Sequence, residues 1–447
     1  MSWGNLIVAL LTCNFLSCYQ DTKVDIKQAW QQWGGPTRNF RINSPKLADF
    51  WPEKGPPVMW KRSLGDGHST ILVEEDTLYT MYRHKTGEKE GQEVVVSLDS
   101  ENGNILWEYR YDEPLPEKMN SSYGPGPNST PLIVGEKLFS VGVVAKVHAL
   151  DKKTGQLLWS RDLYNEFSME RIGNESNRGY SSSPIAYKDL LIFPVGGLDQ
   201  SVIALRQNDG SVAWKKHDFQ LSPSSPILIE VNGQKQVILF MGGEVIGLNP
   251  ANGDLYWSYP HSTDYDCNIS TPLWGEDNLL YVSSAYNSGS RVLELTQENG
   301  LTSVQELFFS KRMKIHFGNT VRIGNLVYGS SGAFGPAFFM AMNVRTGNIV
   351  WRQRGFAKAQ FLHVNNRFVI LDEKGLLVLA TPGEQGLKIH SKFQVFNSRS
   401  WTAPTLVGSR LYVRNRETIL ALELGERNLD SGASTAPQSL KAKAKGP

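Results

Sequence analysis

One phrase recurs along this chain of 447 residues: an apolar strand, a polar turn that contains glycine, and then a tryptophan. Its clear copies end at tryptophans spaced 43 to 55 residues apart, with one gap of 94 residues: Trp107, Trp159, Trp214, Trp257 and Trp351. The long gap holds a drifted copy, which keeps Gly300 and has Phe308 near the tryptophan position. A repeat of this length indicates supersecondary units that bury themselves against their neighbours. The phrase therefore predicts architecture rather than chemistry.

A second phrase precedes each copy: a small polar residue, usually with a proline close behind it, and then two apolar strands joined by a polar turn. The two phrases together give four short antiparallel strands in about 40 to 55 residues, which is typical of a β-propeller blade. Copies of the second phrase predict eight blades, which start near Ser69, Ser129, Ser182, Ser224, Ser270, Asn319, Gln360 and Thr402.

The two ends of the repeat region are complementary. The last copy stops at Gly425 without its fourth strand, and the strand around Trp60 has no blade of its own. We expect this N-terminal strand to complete the last blade and close the ring. We also expect each repeated tryptophan to fill the wedge between adjacent blades, and each turn glycine to supply a positive φ. The predicted fold class is all-β, an eight-bladed β-propeller of four-stranded antiparallel blades.

We place the blades at residues 57–425. The regions before and after them have sequence patterns of their own. Residues 1–18 contain an apolar run typical of a secretion signal. The letters FLSC, which end at Cys18, resemble a bacterial lipoprotein signal with Cys18 as the lipidation site; a plain signal peptide is the alternative. Residues 19–56 are rich in tryptophan and proline and should lie across the propeller surface or plug one channel mouth. The tail, residues 426–447, lacks an apolar pattern and is predicted to be disordered.

Charge and cysteine content limit the possible partners and the means of stabilisation. A net charge of +2, from 46 basic and 44 acidic residues, gives no field of the kind that binds nucleic acid. Three cysteines, two of them within the signal region, allow no disulfide framework. We therefore expect an exported monomer, either periplasmic or anchored to a membrane through a lipid, whose stability comes from blade packing.

The residues just before each second phrase should form rings at one mouth of the central channel. The candidate pocket built from them contains His68, Asn128, Tyr180, Asp266, Asn268, His316, Arg399 and Trp401. Their convergence predicts a polar binding site. The alternative is that polar residues here satisfy wet backbone groups. His68, Asp266 and His316 could hold a divalent ion, but we assign no metal site. No nucleophile elbow, P-loop, zinc-protease or dinucleotide motif occurs, so the catalytic residues are unknown.

The phrase A-L-D-x-x-T-G-x-x-x-W, at Ala149 to Trp159, is similar to repeats of the pyrroloquinoline-quinone (PQQ) propeller superfamily. With the segments WQQWGGPTRN and FWPEKGPPVMWK, the chain resembles exported PQQ-like propellers of the planctomycete type. These are related to the propeller lipoprotein of the outer-membrane β-barrel assembly machinery, which binds no cofactor. The superfamily also includes quinoprotein alcohol dehydrogenases, which use PQQ with calcium and typically carry an adjacent cysteine pair that this chain lacks.

From the residues and the resemblance together, we expect an exported, non-catalytic propeller that acts as a binding or protein-interaction scaffold in the cell envelope. Its partners would be envelope proteins or polymers, and it would need no cofactor. Two alternatives stay open. One is a PQQ-dependent dehydrogenase, or another quinoprotein oxidoreductase, with PQQ and calcium at the channel mouth. The other is a propeller that binds a glycan or a small ligand without turnover.

Overall fold

Eight four-stranded antiparallel sheets form a ring in the computed structural model, which describes residues 29–85, 91–169 and 178–426. The fold class predicted from the repeats is confirmed. The predicted signal region with Cys18, and all of the predicted tail except its first residue, lie outside the described residues. Within the described ranges the only α-helix is α1 (Leu163–Glu166), and no helix there has the length and apolarity needed to cross a membrane.

Each blade runs outward from the central axis, with consecutive strands paired side by side. Blades 1 to 4 consist of β3 (Leu72–Glu74), β4 (Thr77–Arg83), β5 (Gln92–Asp99) and β6 (Ile105–Asp112); β7 (Leu132–Val134), β8 (Lys137–Val141), β9 (Lys146–Asp151) and β10 (Leu157–Asp162); β11 (Ile185–Tyr187), β12 (Leu190–Pro194), β13 (Val202–Arg206) and β14 (Val212–Lys216); β15 (Ile227–Val231), β16 (Gln234–Phe240), β17 (Glu244–Leu248) and β18 (Leu255–Pro260).

The remaining blades follow the same plan, and a short strand β1 (Arg41–Ile42) joins the inner edge of blade 7. Blades 5 to 8 consist of β19 (Leu273–Trp274), β20 (Leu279–Ser283), β21 (Ser290–Glu298) and β22 (Leu301–Ser310); β23 (Ile315–Ile323), β24 (Leu326–Ser331), β25 (Phe338–Asn343) and β26 (Ile349–Gln353); β27 (Ala359–Val364), β28 (Arg367–Asp372), β29 (Leu376–Pro382) and β30 (Leu387–Gln394); β31 (Thr405–Val407), β32 (Arg410–Arg414), β33 (Thr418–Glu423) and β2 (Val58–Ser63).

The ring closes through strand β2. This strand pairs antiparallel with β33 as the outermost strand of blade 8, and Trp60 lies opposite Ala421. The predicted closure by the strand around Trp60 is therefore confirmed. Because the first and last parts of the chain share one sheet, opening the ring would require the loss of a complete strand pairing.

A tryptophan–glycine contact joins neighbouring blades. The ring of Trp107 in blade 1 packs on the turn of blade 2, where its indole Nε1 donates a hydrogen bond of 3.0 Å to the Lys152 carbonyl oxygen. A β-carbon at Gly155 would lie 2.5 Å from this ring. Gly155 also has a φ of 73°, so the glycine both supplies the left-handed turn and leaves space for the indole of the preceding blade.

The same packing of a ring on a turn glycine recurs at four further interfaces between blades. The pairs are Trp60 with Gly103, Trp159 with Gly210, Trp214 with Gly253, and Phe308 with Gly347. Trp257 differs: its Nε1 donates to Gln236 Oε1 in its own blade at 2.8 Å, and no atom lies within 4 Å of a β-carbon built on Gly300 in the next blade. The predicted wedge role of the tryptophans is confirmed, with the glycine as its specific partner.

The first described stretch of the N-terminal segment plugs the channel. Trp30 is fully buried and exchanges two backbone hydrogen bonds with Val73 of blade 1, at 2.7 and 3.0 Å. Ile133 of blade 2 donates to the Gln31 carbonyl oxygen, and β1 pairs in parallel with β27 of blade 7. A segment that reaches the inner strands of blades on several sides of the ring must lie near its axis. Of the two interpretations of residues 19–56 given from the sequence, the channel plug therefore describes this stretch.

The rest of the segment follows the surface, as the first interpretation predicts. Leu47 forms a bridge with Gly425, and the Ser44 hydroxyl donates to the Gly408 carbonyl oxygen at 2.7 Å. Further along, the Trp51 backbone nitrogen donates to Ser391 Oγ at 2.7 Å. The segment thus crosses blades 7 and 8 before it enters β2, and it covers the place where the ring closes.

Two glycine substitutions test the interblade contact. Gly155 and Gly300 both have a left-handed φ, of 73° and 83°, so an alanine at either position carries a backbone cost of about 1–2 kcal/mol. Only Gly155→Ala also drives a β-carbon into the Trp107 ring. We expect Gly155→Ala to lower the free energy of unfolding by about 1–3 kcal/mol more than Gly300→Ala does. Urea denaturation of the two variants measures the difference, and equal destabilisation would show that the contact contributes nothing.

Candidate functional site

A funnel opens on the face of the ring where the chain enters the inner strands. The entry loops and the loops between the second and third strands of each blade rise on this face, because successive antiparallel strands reverse direction. Together they enclose a cavity of about 480 Å³. Its floor includes Trp33 of the channel plug, whose indole Nε1 donates to Thr271 Oγ1 at 2.8 Å. The funnel is therefore a blind pocket that the plug closes from below.

Six of the eight residues chosen from the sequence line this funnel: His68, Asn128, Tyr180, Asp266, His316 and Trp401. Arg399 lies beside it, with its guanidinium carbon 4.5 Å from the centre of the Tyr123 ring and 4.7 Å from that of Trp401. The entry positions thus converge as the repeat alignment predicts. That they bind a ligand stays a prediction.

Asn268 is not part of the funnel lining. It is completely buried, its amide nitrogen donates to the Met241 carbonyl oxygen at 2.7 Å, and its amide oxygen accepts from the Ser284 hydroxyl. Its backbone nitrogen donates to Ser222 Oγ at 2.6 Å. Asn268 therefore ties neighbouring loops together, and this position bears out the alternative that polar residues here satisfy backbone groups.

Tyr180 also has a structural environment, although its edge borders the funnel. It is 1% exposed, and its hydroxyl donates to the Pro194 carbonyl oxygen at 3.1 Å. Burial raises the pKa of Tyr180 well above its usual range. Asn128 is half-buried, and its amide nitrogen donates to the Arg178 carbonyl oxygen at 2.9 Å, which ties Asn128 to the chain that enters blade 3.

The two funnel histidines are neutral near pH 7. Burial lowers the pKa of His68 to about 4, and burial together with the charges of Lys358 and Arg178 lowers the pKa of His316 to about 4. His316 Nε2 shares a hydrogen bond of 2.5 Å with the Tyr286 hydroxyl, and burial raises the pKa of Tyr286 to about 12. Near pH 7 both groups are therefore uncharged, and both can exchange hydrogen bonds with a ligand.

The three candidate metal ligands do not form one ligand set. Nowhere in residues 29–85, 91–169 and 178–426 do three or more histidine, cysteine or acidic side chains group so that they could hold a metal ion. Asp266 has a left-handed backbone, with a φ of 47°, and its carbonyl oxygen accepts from the Ser222 hydroxyl at 3.4 Å. The possible divalent-ion site at His68, Asp266 and His316 is therefore not supported.

A line of aromatic rings runs around the funnel, and only two of its members, His316 and Trp401, were named from the sequence. We call it the aromatic arc, and its members in spatial order are Tyr123, Trp401, Phe317, His316, Tyr286 and, at the end, Tyr265 and Phe334, which both contact Tyr286. Successive ring centres lie 4.9 to 5.5 Å apart. Tyr286 and Phe334 come from loops between second and third strands, which share this face with the entry loops. Aromatic residues in that second class of loop were the signal that could have found them.

Cations lie over the faces of this arc. The guanidinium carbon of Arg178 is 4.0 Å from the centre of the Tyr123 ring, and Lys358 Nζ is 5.4 Å from that of Phe317. Lys358 Nζ also lies 3.7 Å from Glu373 Oε2. The same carboxylate oxygen accepts a hydrogen bond of 3.0 Å from the Trp401 indole Nε1. The Tyr123–Trp401–Phe317 end of the arc is therefore the positively charged end.

Comparison with known families identifies the relationship of the chain. Residues 91–353 match the family described as outer membrane protein assembly factor BamB. The chain belongs to this family. The BamB protein of Yersinia pestis is 23% identical over 321 residues, which cover 68% of this chain and 75% of that protein. The narrower likeness to planctomycete proteins stays a prediction.

Quinoprotein dehydrogenases match a shorter stretch. The quinoprotein alcohol dehydrogenase PedH of Pseudomonas putida is 33% identical over 145 residues, which are 30% of this chain and only 23% of the enzyme. The chain thus spans about a quarter of the length of the dehydrogenases that it matches. Their activity as whole proteins is not established for this chain by such a match.

Solved structures agree on the fold. BamB from Moraxella catarrhalis superposes with a TM-score of 0.58 at 17% identity, and the match covers 82% of this chain and 99% of that one. The quinohemoprotein alcohol dehydrogenase from Comamonas testosteroni gives a TM-score of 0.61 at 12% identity, over 93% and 83%. At these identities the likeness shows the propeller fold alone.

The neutral state of His316 predicts a pH effect. Between about pH 6.5, its ordinary midpoint in an unfolded chain, and pH 4, the folded protein binds fewer protons at this site than the unfolded chain does. The free energy of unfolding should therefore decrease as the pH falls through this window. In an NMR titration of the ¹³C-histidine-labelled protein, the His316 signal is the one that is absent from the His316→Gln variant. In the folded protein this signal should titrate below about pH 5. The same chain in urea is the control, and a folded midpoint near 6.5 would contradict the assignment.

Proposed function

We propose that this protein is a non-catalytic binding scaffold of the bacterial cell envelope that takes part in the assembly of outer-membrane proteins. Membership of the BamB family over residues 91–353 is the observation that carries the proposal. The protein would be exported, as a periplasmic monomer or one anchored through a lipid at Cys18, and its partners would be envelope proteins or polymers rather than nucleic acid.

The geometry of the funnel supports binding rather than turnover. The channel plug forms part of the floor of the funnel, so a ligand would enter and leave from the loop face. Its histidines are neutral at pH 7, and burial raises the pKa of Tyr286 to about 12. Such groups donate and accept hydrogen bonds without changing their charge, which is what a binding surface requires.

The alternative of a PQQ-dependent dehydrogenase fits the residues less well. A planar anion could contact the aromatic arc and its cations, but PQQ in these enzymes is held together with calcium. Calcium prefers six to eight oxygen ligands, several of them carboxylates. Of the acids around the funnel that the structure describes, Glu373 is engaged by Lys358 and Trp401, and Asp266 does not belong to a cluster of possible ligands. The sequence also lacks the adjacent cysteine pair. We therefore propose no cofactor.

Two measurements on the full chain test the proposed function. Crosslinking in intact cells of the native host, followed by affinity purification of the tagged protein, should enrich a component of outer-membrane protein assembly. The purified protein supplied with PQQ and calcium should not oxidise alcohols in a dye-linked assay. A quinoprotein dehydrogenase is the positive control for that assay. Alcohol turnover, or a protein that stays in the cytoplasm, would contradict the proposal.

A further inference from the structure

The aromatic arc presents more exposed ring surface than the fold requires. Phe334 is 80% exposed, Tyr265 is 55% exposed and Tyr123 is 37% exposed, although they come from three different loops. Single exposed apolar side chains are common, but a contiguous group on the wall of a concave pocket marks a place where a ligand binds. Rings in such a group offer flat faces for the apolar side of a ligand.

Polar atoms without partners lie among these rings. Gln360 lines the funnel and is only 4% exposed; its amide nitrogen donates to the Trp401 carbonyl oxygen, whereas its oxygen Oε1 has no hydrogen-bond partner in the protein. Nδ1 of His68 and Nδ1 of His316 are likewise buried without a partner. A buried acceptor left unpaired destabilises the folded protein. A ligand that donates a hydrogen bond to Gln360 would remove that destabilisation.

The charge at the two ends of the arc is different. Arg399 lies against Tyr123 and Trp401, and no carboxylate in residues 29–85, 91–169 and 178–426 forms an ion pair with it. Asp266 borders the funnel next to Tyr265, which is at the other end of the arc. An acidic group on a ligand is therefore favoured at the Tyr123–Trp401 end and disfavoured at the Tyr265 end.

We propose that the funnel binds an acidic saccharide, with a pyranose ring against the aromatic arc, a hydroxyl donating to Gln360 Oε1 and a carboxylate directed to Arg399. This inference rests on the proposed function, of which it names a ligand class among the envelope polymers. A pyranose has an apolar C–H face that packs on an aromatic ring and a rim of hydroxyls that both donate and accept. The funnel, at about 480 Å³, lies in the usual range of roughly 300–1,000 Å³ for small-ligand pockets.

Other anions satisfy fewer of these groups. A planar aromatic polycarboxylate such as PQQ could stack on the rings and pair with Arg399, but it carries a single ring N–H donor, whereas a saccharide presents a whole rim of hydroxyl donors toward Gln360 Oε1. An acidic peptide could reach Arg399, but a stable peptide complex usually adds a strand to a sheet edge or docks a helix in a groove. The inner strands of blades 1, 2 and 7 already form backbone hydrogen bonds with the plug, which leaves less inner edge for an added strand.

The test is calorimetric titration of the full chain with tri-galacturonate, with maltotriose as the neutral probe and with PQQ and an acidic hexapeptide as rival ligands. Tri-galacturonate should bind at least ten-fold more tightly than maltotriose, and added salt should weaken its binding because the carboxylate contact is screened. Arg399→Gln should weaken tri-galacturonate binding about ten-fold and leave maltotriose binding unchanged. Arg206→Gln, a surface arginine paired with Asp189 on blade 3, is the matched control and should change neither.

A second pair of variants tests the rings without relying on Arg399. Tyr286→Phe keeps the ring and removes the hydroxyl that bonds His316, whereas Tyr286→Ala removes both. We expect the alanine variant to lose at least ten-fold more affinity than the phenylalanine variant, with circular dichroism confirming that both remain folded. No saccharide binding at millimolar concentration, tighter binding of PQQ or the peptide, or equal binding by Arg399→Gln would overturn the proposal. None of these results alters the in-cell crosslinking outcome, so the ligand class and the scaffold function can fail separately.

Discussion

The structure depends on the contact between a tryptophan of one blade and a turn glycine of the next. Each such contact packs an aromatic ring on the turn of the next blade, and in most copies the indole N–H donates to a backbone carbonyl oxygen there. The contact thereby fixes the distance between two neighbouring sheets. Trp60 makes this contact with Gly103 from the closing strand itself, so closure of the ring uses the same contact as its interior. A ring held in this way needs no disulfide, and Cys267 is the free cysteine of the described chain.

The N-terminal plug gives the ring a closed channel that eight blades alone would leave open. Arg38 is buried in the channel, where its guanidinium donates to the carbonyl oxygens of Ser183 and Pro184, and burial lowers its pKa to about 9. Trp33 lies above as part of the funnel floor. The plug turns a channel into a blind pocket and adds positive charge beneath it. A binding function of the loop face therefore depends on residues that come before the first blade.

Sequence reasoning succeeded where a position repeats and failed where it does not. His68, His316 and Trp401 were found because the phrases align, and alignment places equivalent residues at equivalent heights on the axis. It could not distinguish Asn268, which bonds backbone groups, from neighbours that face the cavity, because both are polar residues at the same repeat position. Tyr286 and Phe334 lie in loops between second and third strands, which differ in length from blade to blade and lie outside the two repeated phrases. Their convergence depends on how far each loop folds over the ring.

The sequence by itself determined the blade count, the strand order and the partner of the closing strand, because these follow from local periodicity and from the pairing of every strand. Only the tertiary structure decided the path of the plug, the blind funnel and the order of the rings around it. These depend on contacts between residues far apart in the chain, such as Trp33 with Thr271 and Tyr123 with Trp401. Local pattern fixes which segments are strands, but the side chains that meet at the axis are set by the curvature of the whole ring.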